Sequence, residues 1–83
     1  MTVATHVTLD VRPDLAAGKE PFSRILAAAR EIPPGGTLVL FAPFEPVPLY
    51  AVLGRQGFTV SAQSLGGEEG FRVTFVRTGL EPV

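Results

Sequence analysis

The chain has 83 residues, 46% of them hydrophobic and 18% charged, a composition that suits one small domain with a packed core and leaves no room for a second. Seven Lys and Arg against eight Asp and Glu leave a net charge of -1, so no overall positive field draws in a phosphate backbone, and nucleic acid is not an expected partner. With no Cys, the chain cannot form a disulfide, a thiolate nucleophile, a persulfide carrier, an iron–sulfur cluster or a cysteine-type zinc site.

From Val3 to Val11 the apolar residues Val3, Val7, Leu9 and Val11 alternate with Thr8, Asp10 and Arg12, which predicts a half-buried strand. Pro13-Asp14 breaks it, and a loop through Gly18 leads to Glu20-Pro21, where proline suits a helix start because its missing N–H is not needed there. Phe22, Ile25, Leu26 and Ala29 stand at i, i+3, i+4 and i+7 and make one apolar stripe, with Ser23, Arg24 and Arg30 turned away. Pro33-Pro34-Gly35-Gly36 ends that helix, and the apolar run Thr37 to Ala42 is too short for anything but an interior strand.

The pattern then repeats. Glu45-Pro46 opens a second helix with Leu49, Val52 and Leu53 as its stripe, and Gly57 closes it. Gly54-Arg55-Gln56-Gly57 matches the Gly-x-x-Gly loop of KH-type RNA-binding domains, but it runs from a helix into a strand and reads as a helix C-cap. Phe58, Val60 and Ala62 alternate with Thr59, Ser61 and Gln63, a glycine-rich turn covers residues 66–70, and Phe71, Val73 and Phe75 alternate with Arg72, Thr74 and Arg77. These two runs predict a hairpin. Residues 1–77 are expected to form a single domain, and 78–83 a flexible tail.

The fold class is α/β, more narrowly an α+β two-layer sandwich of order βαβαββ. Right-handed crossovers put both helices on one face of a four-stranded mixed sheet. Phe22, Ile25, Phe41, Leu49, Leu53, Val73 and Phe75 are the expected core. Thr8, Asp10, Arg12, Thr59, Ser61, Gln63, Arg72 and Thr74, with Arg77, are expected on an open, wet and polar face. The chain opens without a basic segment leading into an apolar one, and no apolar run approaches the roughly 18 residues of a membrane span. A cytoplasmic protein with no membrane partner is the expectation.

Leu9-Asp10-Val11-Arg12, the helix opened by Glu20-Pro21 and the element order together resemble the TusA-like (SirA-like) sulfur carriers, which have Cys-Pro where this chain has Glu20-Pro21. The closer resemblance is to a sister family, the uncharacterised domain family 2249. Its members combine the Leu-Asp-Val-Arg strand with a central segment like the one from Ala42 to Tyr50. The resemblance implies sheet order first, second, fourth, third with only the last strand antiparallel. It also implies an association with haemerythrin-like and denitrification proteins in bacteria, and it brings no established activity. Phe44 stands where many members carry a His, so no metal or haem role is carried over at that position.

Glu20 lies at a helix N-terminus, whose free N–H groups and dipole favour an anion. It is expected either to cap the helix and pair with Arg24, or to border, with Glu45, a cleft at the ends of the first two strands. Neither carboxylate has a visible partner to split its pKa from the other's, so no catalytic set is expected. His6, the single histidine, makes no metal site. The candidate ligand or partner residues are Arg12, Glu20, Pro21, Phe44, Glu45 and Tyr50, with no cofactor. The expected function is a non-enzymatic module that binds an unknown protein or small ligand. The alternative is a thiol-less accessory of a sulfur relay, and a weaker third option is single-stranded RNA binding on the open face.

Overall fold

The computed structural model describes residues 6–78. Val3, at the start of the expected first strand, and the expected tail beyond residue 78 lie outside them. The elements are β1 (His6–Asp10), α1 (Arg12–Ala16), α2 (Phe22–Arg30), β2 (Thr37–Ala42), α3 (Val47–Gly54), β3 (Phe58–Ser64), a 3-10 turn (Gly67–Glu69) and β4 (Phe71–Arg77). The sheet has the order β1-β2-β4-β3. β1 pairs parallel with β2, and β4 is antiparallel to both of its neighbours. Sheet order and strand directions are those the resemblance implies.

Strand parity divides the sheet into two faces. Leu38, Leu40 and Ala42 of β2 and Val73 and Phe75 of β4 are buried beneath Ile25 and Ala29 of α2 and Leu49 and Leu53 of α3. Phe75 is 0% exposed and meets Tyr50 and Phe58 edge-on, each with ring centroids 6.4 Å away. Such edge-to-face contacts add about 0.5–1.5 kcal/mol to the burial of the ring. Val11, which follows β1, is also buried.

Five readings need correction. Residues 12–16 form the short helix α1 where a loop was expected, because Asp10 Oδ1 accepts the Arg12 N–H at 3.0 Å and Pro13 fits the first turn. Phe22 is 36% exposed and outside the core, since at the first position of α2 it overlooks a surface groove. Phe41 belongs to the open face, because the buried phase of β2 falls on Leu38, Leu40 and Ala42. Arg77 belongs to the helix side, where Nε donates to Ile32 O at 2.7 Å and the guanidinium also donates to Ala29 O at 3.1 Å and Gln56 O at 2.9 Å. The guanidinium stacks 4.5 Å from the Phe58 ring centre and serves carbonyls at the C-terminal ends of α2 and α3. Arg24 pairs with Asp14 at 2.8 Å, not with Glu20.

The open face carries Thr8, Asp10, Arg72, Thr74, Thr59, Ser61 and Gln63 as expected, and its two inner strands add Val39, Phe41 and Val76. It is therefore less polar than the alternation of the outer strands suggested. Gly57 ends α3 with φ +90°, in keeping with the C-cap reading of Gly-x-x-Gly. Thr78, assigned to the tail, donates its N–H to Gly57 O at 2.9 Å. Among the described residues no helix is long and apolar enough to cross a membrane.

Candidate functional site

Where α1, α2 and α3 meet at one end of the sheet they leave an open groove of about 430 Å³. Leu15 of α1 and Lys19 and Glu20 of the following loop form one side. Pro21, Phe22 and Ile25 at the start of α2 form the floor and second side, and Phe44, Pro48 and Leu49 close it from the β2–α3 connection and α3. Its wall is almost wholly apolar. Phe22 is 36% exposed, Phe44 54% and Val47, three residues on from Phe44, 54%. The two proline-opened helices explain the arrangement, since Pro21 and Pro46 are buried and hold their neighbours Phe22, Phe44 and Val47 at the surface.

Of the six candidate residues, Glu20, Pro21 and Phe44 come together at this groove. The carboxylate of Glu20 accepts the Phe22 N–H and so occupies the first free donor of α2. Glu45 and Tyr50 form a separate pair beside it, with the Tyr50 hydroxyl donating to Glu45 Oε2 at 3.1 Å. Desolvation, reinforced by that carboxylate acceptor, pushes the Tyr50 phenol up to about 12.

Arg12 lies away from the groove, at the end of the open face. Its Nε and terminal nitrogen donate to Asp10 Oδ1 at 2.9 Å and Oδ2 at 2.8 Å in a two-pronged pair, and its other terminal nitrogen donates to Glu69 O at 2.9 Å. The guanidinium sits 5.2 Å from the Phe41 ring centre. The hydrogen bonds from Arg12 hold the Asp10 carboxyl below the usual carboxylate range. Leu-Asp-Val-Arg thus builds a clasp tying β1 to β2 and to the β3–β4 turn, and Arg12 is occupied with internal partners.

The family described as Uncharacterized conserved protein (DUF2249) matches residues 8–77. The chain belongs to this family. No curated protein and no solved structure matches it. In this DUF2249 domain the residues that sequence reasoning missed at the groove are Leu15, Lys19, Phe22 and Pro48. Two signals pointed to Leu15: its i, i+4 spacing from Val11, and the helix-start sequence Asp10, Pro13, Asp14. Among the described residues of the domain no three His, Cys, Asp or Glu side chains converge as a metal site.

Proposed function

We propose that this DUF2249 domain is a non-enzymatic binding module that docks an apolar side chain of a partner protein in the groove between α1, α2 and α3. The observation that carries the reading is the exposure of Phe22 and Phe44 on the lining of an apolar groove of about 430 Å³, with exposed Val47 three residues on from Phe44. An exposed apolar patch on so small a domain marks an interaction site more readily than a solvated surface. The polar side chains at the groove are Lys19 and Glu20, and the Glu20 carboxylate is already engaged by the Phe22 N–H, which leaves no acid–base pair poised there. The resemblance supplies the candidates: haemerythrin-like and denitrification proteins of bacteria, met in the cytoplasm.

The test is recovery of a partner with the tagged chain from cells, followed by titration of that partner against the wild type and Phe44→Ser. A loss of about tenfold or more in affinity at unchanged melting temperature supports the reading. Equal affinity of the two proteins refutes it.

A second reading, a sulfur-relay accessory without a thiol, draws on Glu20, whose carboxylate takes up a helix N-terminal donor as a carrier's thiolate would. Glu20→Cys distinguishes the two. Acceptance of transferable sulfur from a desulfurase favours the relay, whereas a reactive thiol that accepts none favours the binding module.

A further inference from the structure

Among the described residues β3 is an outer strand of the sheet and pairs on one side only. Its seven residues, Phe58–Ser64, contain no charge, no proline and no glycine. Its ladder with β4 runs one-to-one from Phe58 opposite Arg77 to Ser64 opposite Phe71, with no bulge. Long edges are ordinarily guarded by a lysine, a proline or a bulge, and β3 has none of these. On the opposite edge, the described strand β1 (His6–Asp10) ends at Asp10, which is held in its clasp with Arg12. Apart from half-buried Val60, every residue of β3 from Thr59 onward is exposed, including Ala62 on the helix side. The helices therefore do not roof this edge.

The phase of the ladder shows which backbone groups are unpaired. Just beyond the strand's two ends, Leu65 donates to Gly70 O and Thr78 donates to Gly57 O, each at 2.9 Å. Since bonded pairs in an antiparallel ladder recur at every second residue, Thr59, Ser61 and Gln63 direct their N–H and C=O groups to β4. Phe58, Val60, Ala62 and Ser64 direct theirs outward.

We propose that β3 pairs antiparallel with β3 of a second copy of this chain, about a two-fold axis through Ser61. This register uses all four outward residues. Val60 faces Ala62 of the second copy and Phe58 faces its Ser64, so four bonded pairs form with two N–H···O bonds in each. Apolar Val60 and Ala62 meet on the helix side, Thr59 faces Gln63 on the open side, and Ser61 meets its own counterpart at the axis. A strand without charge brings no like charges together when it meets itself. Two strand edges alone bury less than the about 1,200–2,000 Å² of a standard stable interface, so the dimer is weak and concentration-dependent. The groove plays no part in this contact, and the two readings stand or fall separately.

Sedimentation equilibrium of the full chain between about 10 μM and 1 mM is expected to show a mass rising from monomer toward dimer. Ser61→Lys and Ser61→Glu each set like charges across the axis on an exposed strand, and each alone is expected to stay monomeric with a wild-type melting temperature. Their equimolar mixture is expected to dimerise as a heterodimer. Should either charge variant fold poorly, Ala62→Pro removes an outward N–H that β4 does not use, and it too is expected to be monomeric. A wild type that remains monomeric at about 1 mM overturns the proposal, whether or not a strand of another protein takes the edge. Dimers that persist in the variants overturn it as well.

Discussion

Gly70 joins the 3-10 turn to β4 at φ +87°, and a side chain there meets the backbone of β2. A Cβ built on Gly70 lies 2.1 Å from Ala42 O and 2.9 Å from Pro43 Cα. Ordinary contacts begin at 3.4 Å and real Cβ atoms essentially never come within 3.0 Å, so Gly70→Ala forces the hairpin and β2 apart by about 1 Å, at the pair Ala42 opposite Phe71. Gly57 provides the control, because its φ is +90° and nothing lies within 4 Å of its added Cβ. Gly57→Ala therefore carries only the left-handed backbone penalty, about 1–2 kcal/mol. Gly70→Ala carries a larger backbone penalty, because φ +87° with ψ -138° is a conformation that essentially only glycine adopts, and, in addition, the about 1–3 kcal/mol typical of overpacking. Against a total of about 5–15 kcal/mol, with a small domain near the lower end, that excess is a large share of the stability. In a domain of this size each kcal/mol moves the melting temperature by about 4–8 °C, so thermal unfolding followed by circular dichroism resolves the two variants. Equal destabilisation by the two, within about 0.5 kcal/mol, would refute the close approach of the turn to β2.

Tyr50 is the only tyrosine and the chain has no Trp, so its ionisation is read cleanly by tyrosinate absorbance. The midpoint is expected at about 12 in the folded protein and near 10 in denaturant. Because the folded value is the higher one, the stabilisation is fully present below pH about 10 and is lost as pH rises toward 12. Tyr50→Phe should remove that alkaline loss, and a folded midpoint near 10 would contradict the account. Arg77→Lys keeps the charge but loses the fork that serves Ile32, Ala29 and Gln56, and is expected to cost about 1–3 kcal/mol in a urea titration. Wild-type stability of that variant would show the fork to be dispensable. Phe75→Ala should cost about 3–5 kcal/mol and leave the domain largely unfolded at ambient temperature, and a cooperative variant with near wild-type melting would contradict its central place in the core.

The sheet was legible in the sequence because both of its signals were local. Alternation in Phe58–Ser64 and Phe71–Arg77 and the two Glu-Pro helix starts each follow from neighbouring residues. Phe41 was misplaced because a central strand with one covered face reads, as a short apolar run, like one covered on both. Arg77 follows the alternation of β4, yet its phase puts it with Val73 and Phe75 on the helix side, where carbonyls at the end of α2 and Gln56 draw it in. Helix α1 was hidden because Pro13 was read as a strand breaker when it is also a helix opener. That one omission concealed Leu15, and with it one wall of the groove. Arg12 and Glu45 were grouped with Glu20 by their position at element ends, but chain position does not reveal which way a long side chain turns. Arg12 turns to Asp10 and Phe41, and Glu45 to Tyr50.

On the proposed function, the apolar groove, and not the anion at the start of α2, is the working surface. The most direct measurement is titration of one recovered partner against Phe44→Ser and Glu20→Gln in parallel. Phe44→Ser removes an exposed ring from the groove, while Glu20→Gln removes the charge but keeps an acceptor for the Phe22 N–H. A loss of about tenfold or more is expected for Phe44→Ser and a change of less than about threefold for Glu20→Gln. Wild-type affinity in Phe44→Ser together with a large loss in Glu20→Gln would contradict it.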